Sequence, residues 1–383
     1  MYRLTPDQQQ MQQRAATIAA ERIAPHAARI DRESLFPLES IAALGEQGLL
    51  GLTIPTAFGG LGQNLRTACA VLDEIAQRCT STAMVYLMHL CGVACYTAAA
   101  EKTAQYLTAA ARGQHLSTLA FSERGSRSHF WAPVSREVPV NGSVRISASK
   151  SFVTSAGHAD GYVVSTLAAD GKKTTDSTLY LLLPGDSGIT VAGTWDGLGL
   201  RGNASAPVDL RDVTLGADRA LTPPGKGLDM MLGIVLPAFQ VGSAAVALGI
   251  AEAAVQATQH HLKTTRLEHL DSSLAELPTL RARLAQMRIE TDRARAHLVS
   301  VLDSLETPGP ATQLLVLEAK ASATEAAVVV TTLAMRTCGG AALTRSLILE
   351  RLFRDAQAPI VMAPTSDQAY DFIGRALCGL EVF

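Results

Sequence analysis

The chain has 383 residues, 48% of them hydrophobic and 18% charged, a composition typical of a folded globular protein with two or three subdomains and not of a disordered one. Its 33 Lys and Arg residues nearly balance its 35 Asp and Glu residues, and the net charge of −2 does not favour nucleic acid or an anionic membrane surface as a partner. The six cysteines are scattered without a Cys-x-x-Cys pair, which fits a reducing cytoplasm and does not indicate a metal site.

Residues 1–115 are predicted to form a helical domain. Thr5-Pro6-Asp7 is a helix start, and this first helix is expected to end near Ala24 because Pro25 follows it. Three further helices are predicted, over residues 37–49, 65–78 and 80–100. The N-terminal residues lack the apolar core of a signal peptide, and no uninterrupted apolar run approaches the length of a membrane span. We therefore expect a cytoplasmic protein with no membrane contact.

His89 lies inside the helix predicted over residues 80–100. A histidine in an apolar helix is favoured as a core residue whose hydrogen bonds are satisfied. The alternative interpretation is that His89 forms part of the wall of a substrate pocket.

Residues 116–220 are predicted to form a β domain, because Val, Thr and Ser alternate there between Gly, Asn and Asp turns. The pair Asn141-Gly142 indicates a hairpin. A strand is predicted to end at Thr154, where an aromatic side chain, Phe152, lies beside a hydroxyl. This pair suits a flat polar heterocycle, since Phe152 offers an apolar wall and Thr154 a hydrogen bond. An ordinary strand end is the alternative.

Residues 221–383 return to helical patterns, rich in alanine and joined by short connections. Helices are predicted over residues 236–262, 280–305, 311–337, 343–356 and 364–377. Long helices with short connections favour a four-helix bundle with a short extra helix.

The loop of residues 119–128 and the strand near Thr154, taken together, resemble the flavin cradle of the acyl-CoA dehydrogenase family. Three further blocks occur in the family's order along the chain: Phe58-Gly59-Gly60-Leu61-Gly62, Leu198-Gly199-Leu200-Arg201-Gly202 with Asp212-Val213, and Gly339-Gly340 with Arg351, Arg354 and Asp355. The resemblance implies an α+β protein with a helical N-terminal domain, a middle β domain that forms a small barrel, and a C-terminal four-helix bundle. It also implies FAD as the cofactor.

The resemblance assigns roles to particular residues. Phe121 and Ser122 would line the flavin ring, Thr154 would hydrogen-bond near its reactive nitrogen, and Phe152 would flank it. A second set would serve the phosphates and adenine of FAD, in part in a neighbouring subunit: Arg336, Gly339, Gly340, Thr365 and Asp367. The resemblance therefore implies a homodimer or homotetramer. The substrate contacts that the resemblance implies are Ser128, Phe239 and Ala363. His89, the possible pocket wall named above, is the fourth candidate substrate contact.

The chain also departs from the family pattern. Arg124, Arg127 and His129 replace a Pro, a Gly and an Asp of the loop after the first cradle strand. The catalytic Glu that usually removes the α-proton is missing, because its two known positions are Ala363 and Phe239. A positioned base is worth about 10²–10⁴-fold, so its loss should slow ordinary dehydrogenation. Asp367, His89 and His129 are candidates for another base.

Three functions remain open. The first is an FAD-dependent dehydrogenase that acts at the CH–CH group of an acyl thioester, carried on CoA or acyl-carrier protein, with a non-standard base. The second is a flavin monooxygenase on the same fold, which needs no α-proton base. The third is a non-catalytic or partner-dependent FAD-binding subunit. The electron acceptor would be a flavoprotein or oxygen.

Overall fold

The computed structural model describes residues 2–127 and 129–382, and its first part is helical. The helices are α1 (Pro6–Ile18), α2 (Ala24–Glu33), α3 (Leu38–Glu46), α4 (Leu65–Ala76), α5 (Thr80–Ala98) and α6 (Ala100–Ala111). Thr5 caps α1 in a capping box with Gln8, as the sequence predicts for this helix start.

The first helix does not end at Ala24, which corrects the prediction. A five-residue π turn, Ala19–Ile23, joins α1 to α2, and Pro25 lies in the first turn of α2. A proline is tolerated there because the N–H groups of a first helical turn have no partner within the helix. Helix α6 was not predicted from the sequence; the chain bends at Ala99 and continues as a new helix.

The middle domain contains two sheets, built from β1 (Ser117–Ala120), β2 (Val138–Val140), β3 (Ser143–Val153), β4 (Gly161–Leu167), β5 (Ser177–Leu182), β6 (Ile189–Val191) and β7 (Ala206–Leu215). One sheet has the order β1-β4-β5 and the other β2-β3-β7-β6. Isolated bridges from Glu123 to Lys150 and from Arg136 to Leu167 connect the two sheets. Asn141 and Gly142 turn the β2–β3 hairpin with φ values of 48° and 79°, as their pairing predicts.

The last part is helical again, with α7 (Gly227–Met230), α8 (Leu236–Thr264), α9 (Pro278–Glu306), α10 (Thr312–Cys338), α11 (Leu349–Val361) and α12 (Ser366–Leu377). A short hairpin of β8 (Arg266–Leu267) and β9 (Ser272–Ser273) lies between α8 and α9. The helix predicted over residues 343–356 begins later and ends later, as α11, because residues 344–348 form turns and bends after the 3₁₀ turn Gly339–Leu343. The predicted fold class is confirmed.

Three helical stretches, Thr80–Ala98, Gly227–Thr264 and Thr312–Leu343, are long and apolar enough to cross a membrane. Polar residues, among them His89, Gln240 and Lys320, interrupt these stretches, so they do not contradict the expectation that no uninterrupted apolar run approaches that length. For the first two stretches, 83% of the apolar window is buried inside the fold, so their apolarity serves the core. For the third stretch only 44% is buried, which leaves apolar side chains of α10 on the surface.

A buried charge cluster fastens the N-terminal helices to the C-terminal bundle. Asp73 of α4 accepts a hydrogen bond from the hydroxyl of Tyr2 at 2.8 Å and pairs with Arg295 of α9 at 3.2 Å. Arg295 also pairs with Glu252 of α8 at 3.1 Å. Each buried charge has an opposite charge beside it, which offsets the cost of removing it from water.

Candidate active site

A cavity of about 610 Å³ lies where the β domain meets α8 and the end of α11. This volume is within the range of roughly 300–1,000 Å³ that is usual for small-molecule and cofactor pockets. The structure brings together in its walls six of the residues singled out from the sequence, namely Phe121, Ser122, Phe152, Thr154, Phe239 and Ala363. Most of the remaining wall is apolar, from Met88, Leu119, Phe130, Val235, Leu236, Val361 and Met362.

Hydroxyl groups meet at the β side of the cavity. The Oγ1 of Thr154 lies 2.9 Å from the Oγ of Ser205, and the Thr154 carbonyl accepts a hydrogen bond from Thr118 at 2.7 Å. Two hydroxyls that share one hydrogen bond leave one hydrogen free to donate to a ligand. The Oγ of Ser122, on the same wall, has no hydrogen bond to any described residue. These hydroxyls can serve the polar edge of a flat heterocycle.

Asn203 adds an amide to this wall that the sequence did not point to. Its side chain is 1% exposed, and its Oδ1 has no hydrogen-bond partner among the described residues. A buried amide without a partner is costly unless something supplies one. The unpaired amide and the hydroxyls of Thr154, Ser205 and Ser122 therefore fit a bound heterocycle.

Phe152 is held in an unusual backbone conformation. Its φ is +54°, in the left-handed region that bulky residues rarely adopt, and the β3–β7 register shifts between Lys150 and Val153. The ring is 70% exposed and lies edge-on to Trp195, with 6.5 Å between the ring centroids. The Trp195 indole in turn donates to the carbonyl of Leu200 at 2.8 Å. The bulge thus turns Phe152 towards Trp195 at the cavity mouth.

Leu200 belongs to a loop that is fastened to α11. The Leu200 N–H donates to Asp355 Oδ1 at 2.7 Å, and the Arg354 guanidinium donates to the Leu198 carbonyl at 3.0 Å. A Cβ on Gly199 would lie only 2.4 Å from the Arg354 carbonyl oxygen, so glycine is needed at this contact. The motif residues Gly199, Arg354 and Asp355 therefore position a cavity wall.

Glu123 anchors the loop that follows the first cradle strand. Its carboxylate accepts hydrogen bonds from the N–H groups of Val134 and Ser135, both at 2.8 Å, and from the Ser135 hydroxyl at 2.6 Å. Lys150, which is fully buried, pairs with it at 2.6 Å. Burial alone would raise the pKa of Glu123, but Lys150 and the Ser135 donors outweigh it and lower the pKa. Glu123 is therefore an engaged carboxylate and not a free base.

The anchored loop carries two arginines to the cavity mouth. Arg124 and Arg127 both line the cavity and are exposed, and neither guanidinium has a hydrogen bond or ion pair within residues 2–127 and 129–382. Arg127 has a φ of +50°, a conformation that suits the glycine expected there from the resemblance. The predicted substrate contact Ser128 lies outside the described residues.

Ala363 lies on the opposite wall, directly after α11. The side chain of Lys320 on α10, which is 1% exposed, holds this segment from behind. Its Nζ donates to the carbonyl oxygens of Met362 at 2.9 Å and Pro364 at 2.7 Å. Burial lowers the pKa of Lys320 to about 7.

None of the three candidate bases lines this cavity in the described part of the chain. His89 is fully buried, with its Nε2 2.8 Å from the Leu50 carbonyl and its Nδ1 accepting from the Ser117 N–H at 3.1 Å. Burial lowers its pKa to about 4, so it is a neutral core histidine, in line with the first of its two interpretations. His89 does not line this cavity, so its position differs from that of the alternative interpretation, a wall of the substrate pocket. His129 and Asp367 are exposed.

The residues predicted to serve the phosphates and adenine also lie away from this cavity. Arg336, Gly339 and Gly340 are exposed at the end of α10, and a Cβ on either glycine would meet no atom of the chain within 4 Å. Thr365 caps α12 in a capping box with Gln368. That these residues bind the FAD of a neighbouring subunit stays a prediction.

Comparison with known proteins identifies the fold and the family. The chain matches three parts of the acyl-CoA dehydrogenase family: the N-terminal domain over residues 5–114, the middle domain over 118–213 and the C-terminal domain over 225–378. It is 30% identical to the 3-sulfinopropanoyl-CoA desulfinase of Paraburkholderia xenovorans (strain LB400), over 100% of this chain and 98% of that protein. The chain belongs to the acyl-CoA dehydrogenase family.

Solved structures agree with this assignment at the level of the fold. Butyryl-CoA dehydrogenase from Megasphaera elsdenii superposes with a TM-score of 0.89 at 23% identity, covering 98% of this chain and 99% of that chain. The FAD complex of PigA superposes with a TM-score of 0.89 at 17% identity, covering 98% of each chain. FAD is the cofactor of this family, as the resemblance implies.

Proposed function

We propose that the protein is an FAD-dependent oxidoreductase that dehydrogenates the CH–CH group next to the carbonyl of an acyl thioester. The observation that carries this proposal is the two-sided cavity. One wall offers the hydroxyls of Ser122 and Thr154 and the aromatic rings of Phe152 and Trp195. The other wall, around Phe239 and Ala363, is apolar and suits an acyl chain. When bound, FAD supplies the acceptor for a hydride, which carries the two electrons of the oxidation.

The Ala363 backbone supports the position of the thioester. Ala363 lines the cavity, and its N–H donates to no atom of the described residues. An unpaired N–H beside an apolar pocket is a donor for the oxygen of a substrate carbonyl, where negative charge grows as the α-proton leaves. We infer that the thioester carbonyl accepts this hydrogen bond, with the acyl chain directed towards Phe239.

The cavity offers no free carboxylate to take the α-proton. Among the described residues of its wall, only Glu123, Arg124 and Arg127 carry ionisable side chains, and Glu123 is held by Lys150 and Ser135. We infer that the substrate has an α-proton more acidic than that of a plain fatty acyl group, or that solvent takes the proton. Unsubstituted straight-chain acyl-CoA should therefore be turned over slowly.

Substituting Ala363→Glu tests this proposal. The new carboxylate would stand on the acyl side of the cavity, where desolvation raises its pKa and makes it a better base. We expect straight-chain acyl-CoA to bleach the flavin absorbance about 10²–10⁴-fold faster than in wild type. Stopped-flow absorbance measures this, and Ala363→Gln is the matched control because it adds similar bulk without a base. Rapid bleaching in wild type would show that another group supplies the base.

A second candidate function is removal of a substituent from the acyl chain of a CoA thioester. It is favoured by the 30% identity to the desulfinase and by the absence of a free carboxylate from the described cavity wall. Release of sulfite from 3-sulfinopropanoyl-CoA, followed with a sulfite-specific assay, tests it. Bleaching by acyl-CoA without any sulfite release would reject this candidate.

A further inference from the structure

We propose that Lys320 is a positioning residue that fixes and polarises the Met362–Ala363 peptide, so that the Ala363 N–H is presented as a strong donor to the substrate's carbonyl oxygen. The inference rests on the proposed function and extends it to a residue outside the cavity. Lys320 would touch neither substrate nor cofactor and would act only through one peptide group.

The geometry of the Met362–Ala363 peptide determines where the Ala363 N–H points. The Met362–Ala363 bond is trans, and the Met362 carbonyl oxygen accepts from the Lys320 Nζ at 2.9 Å. In a trans peptide the C=O and N–H point in opposite directions. The Ala363 N–H therefore points away from the ammonium behind it, and Ala363 itself lines the cavity.

Lys320 also holds the segment Met362–Pro364 on both sides of Ala363. Its Nζ also donates to the Pro364 carbonyl at 2.7 Å. These two bonds fix the carbonyls before and after Ala363 to one atom of α10. The segment cannot turn its N–H away from the cavity without losing at least one of them.

Lys320 has no ion pair with any carboxylate of the described residues and is 1% exposed. Below its pKa of about 7, Lys320 is a buried ammonium that has only neutral carbonyl partners, which is costly, so stability alone does not favour a lysine here. A positive charge on the carbonyl side of a peptide draws electron density from its N–H, which strengthens the hydrogen bond that the N–H donates. A lysine at this position is explained if the Ala363 N–H donates a hydrogen bond to a ligand in the cavity.

A pair of ligands that differ only in the carbonyl provides the test. Butyryl-CoA contains the thioester oxygen, and S-butyl-CoA is the thioether of equal chain length that lacks it. Titration calorimetry with the FAD-loaded protein gives the dissociation constant of each. We expect wild type to bind butyryl-CoA more tightly, and Lys320→Met to reduce this preference about 10-fold, as for a weakened hydrogen bond. The affinity for S-butyl-CoA should change less than twofold.

The control is Thr331→Val on the same helix, a buried position whose hydroxyl, among the described residues, donates only to the Ala327 and Val328 carbonyls within α10. It should leave the preference for the thioester unchanged. If Lys320→Met keeps the wild-type preference, the inference is overturned and the proposed function stands. If wild type binds neither ligand, or binds both equally, the carbonyl site itself is rejected, and the inference falls with it.

A measurement on the unaltered protein covers the case in which Lys320→Met does not fold. Butyryl-CoA labelled with ¹³C at the carbonyl gives an isotope-edited infrared band. The band should move to lower frequency on binding than in water, because a polarised N–H withdraws density from the C=O bond. A bound band at or above the frequency in water would contradict the inference.

Discussion

Lys150 is a fully buried cation whose carboxylate partner, Glu123, is 3% exposed. The Lys150 Nζ and the Glu123 Oε1 lie 2.6 Å apart. Removing one member of such a pair leaves the other charge buried and alone, which costs about 3–5 kcal/mol. We therefore expect Lys150→Met to lower the free energy of unfolding by about that amount, measured by urea denaturation.

A matched control is the exposed pair Arg29–Glu39, whose side chains are both 49% exposed. Arg29→Gln should change the free energy of unfolding by less than about 1 kcal/mol. Equal losses in the two variants would contradict the account of Glu123 as an anchor.

His89 predicts a pH dependence of stability. Burial lowers the pKa of His89, and that of His115, to about 4, whereas an exposed histidine titrates near 6.5. Between those values the unfolded chain binds protons that the folded chain does not, so stability is highest above pH 6.5 and falls as the pH drops towards 4. Each histidine contributes a slope of about 1.4 kcal/mol per pH unit.

The substitution His89→Gln isolates one of these two contributions. Guanidinium denaturation between pH 4 and 7 should show a stability slope shallower than that of wild type by about 1.4 kcal/mol per unit. His26→Gln, at a position outside the core, should keep the wild-type slope. A variant that parallels wild type across the interval would mean that His89 is protonated in the fold.

Several site residues were open to prediction from the sequence, and others were not. Ser122 and Thr154 stand at strand ends within recognisable local patterns, so a reading of short stretches finds them. Lys320 and Asn203 have no such local signal, because the groups that their side chains contact or face are distant in the sequence. Lys320 acts on carbonyls more than forty residues along the chain, and only the packing of α10 against the end of α11 brings them together.

At the scale of elements, the loop after β1 is the feature that sets this chain apart from the expected pattern. Glu123 fastens this loop by accepting hydrogen bonds from Val134 and Ser135, and the loop presents Arg124 and Arg127 without side-chain partners among the described residues. A guanidinium pair at the mouth of a cofactor cavity suits phosphate oxygens, which the planar guanidinium binds in pairs.

We therefore expect the double variant Arg124→Gln/Arg127→Gln to weaken FAD binding at least about tenfold, since hydrogen bonds to charged groups are worth about 1.5–3 kcal/mol. Riboflavin, which lacks phosphate, should bind with nearly unchanged affinity. Fluorescence titration of the apo-protein measures both. Arg112→Gln, at the exposed end of α6, serves as a control that removes a positive charge outside the cavity. A similar loss for FAD and riboflavin would assign the effect to loop structure instead.

Element boundaries show where sequence patterns stop being informative. The start of α1 was predictable because its cap is local, whereas its end was not, because the π turn Ala19–Ile23 carries the helix past Pro25. The start of α11 was also misplaced, since helical periodicity continues through residues 344–348, which form turns and bends before the helix begins at Leu349. The three-part architecture survived these errors because it depends on long periodic stretches.

At the scale of the whole molecule, the exposed face of the C-terminal helices predicts self-association. Val329 is 45% exposed and Leu343 is 77% exposed, both close in the chain to the exposed Gly339-Gly340, and Leu377 at the end of α12 is 72% exposed. We expect a homodimer or a dimer of dimers by light scattering. Val329→Lys combined with Leu343→Glu should shift the protein towards monomer and reduce its FAD content. Val138→Lys, on the exposed strand β2, should do neither. A monomer with full FAD occupancy would contradict this interface.

The cavity takes its walls from all three parts of the chain: Met88 from α5, Thr154 at the end of β3, and Phe239 from α8. A ligand that touches all three binds only the assembled arrangement and therefore stabilises it by mass action. Proteases should discriminate between the two states. The exposed segment around Pro223 and Pro224, which joins the β domain to α7, should be cut far more slowly once the cavity is filled, so the cofactor would govern the lifetime of the chain as well as its chemistry.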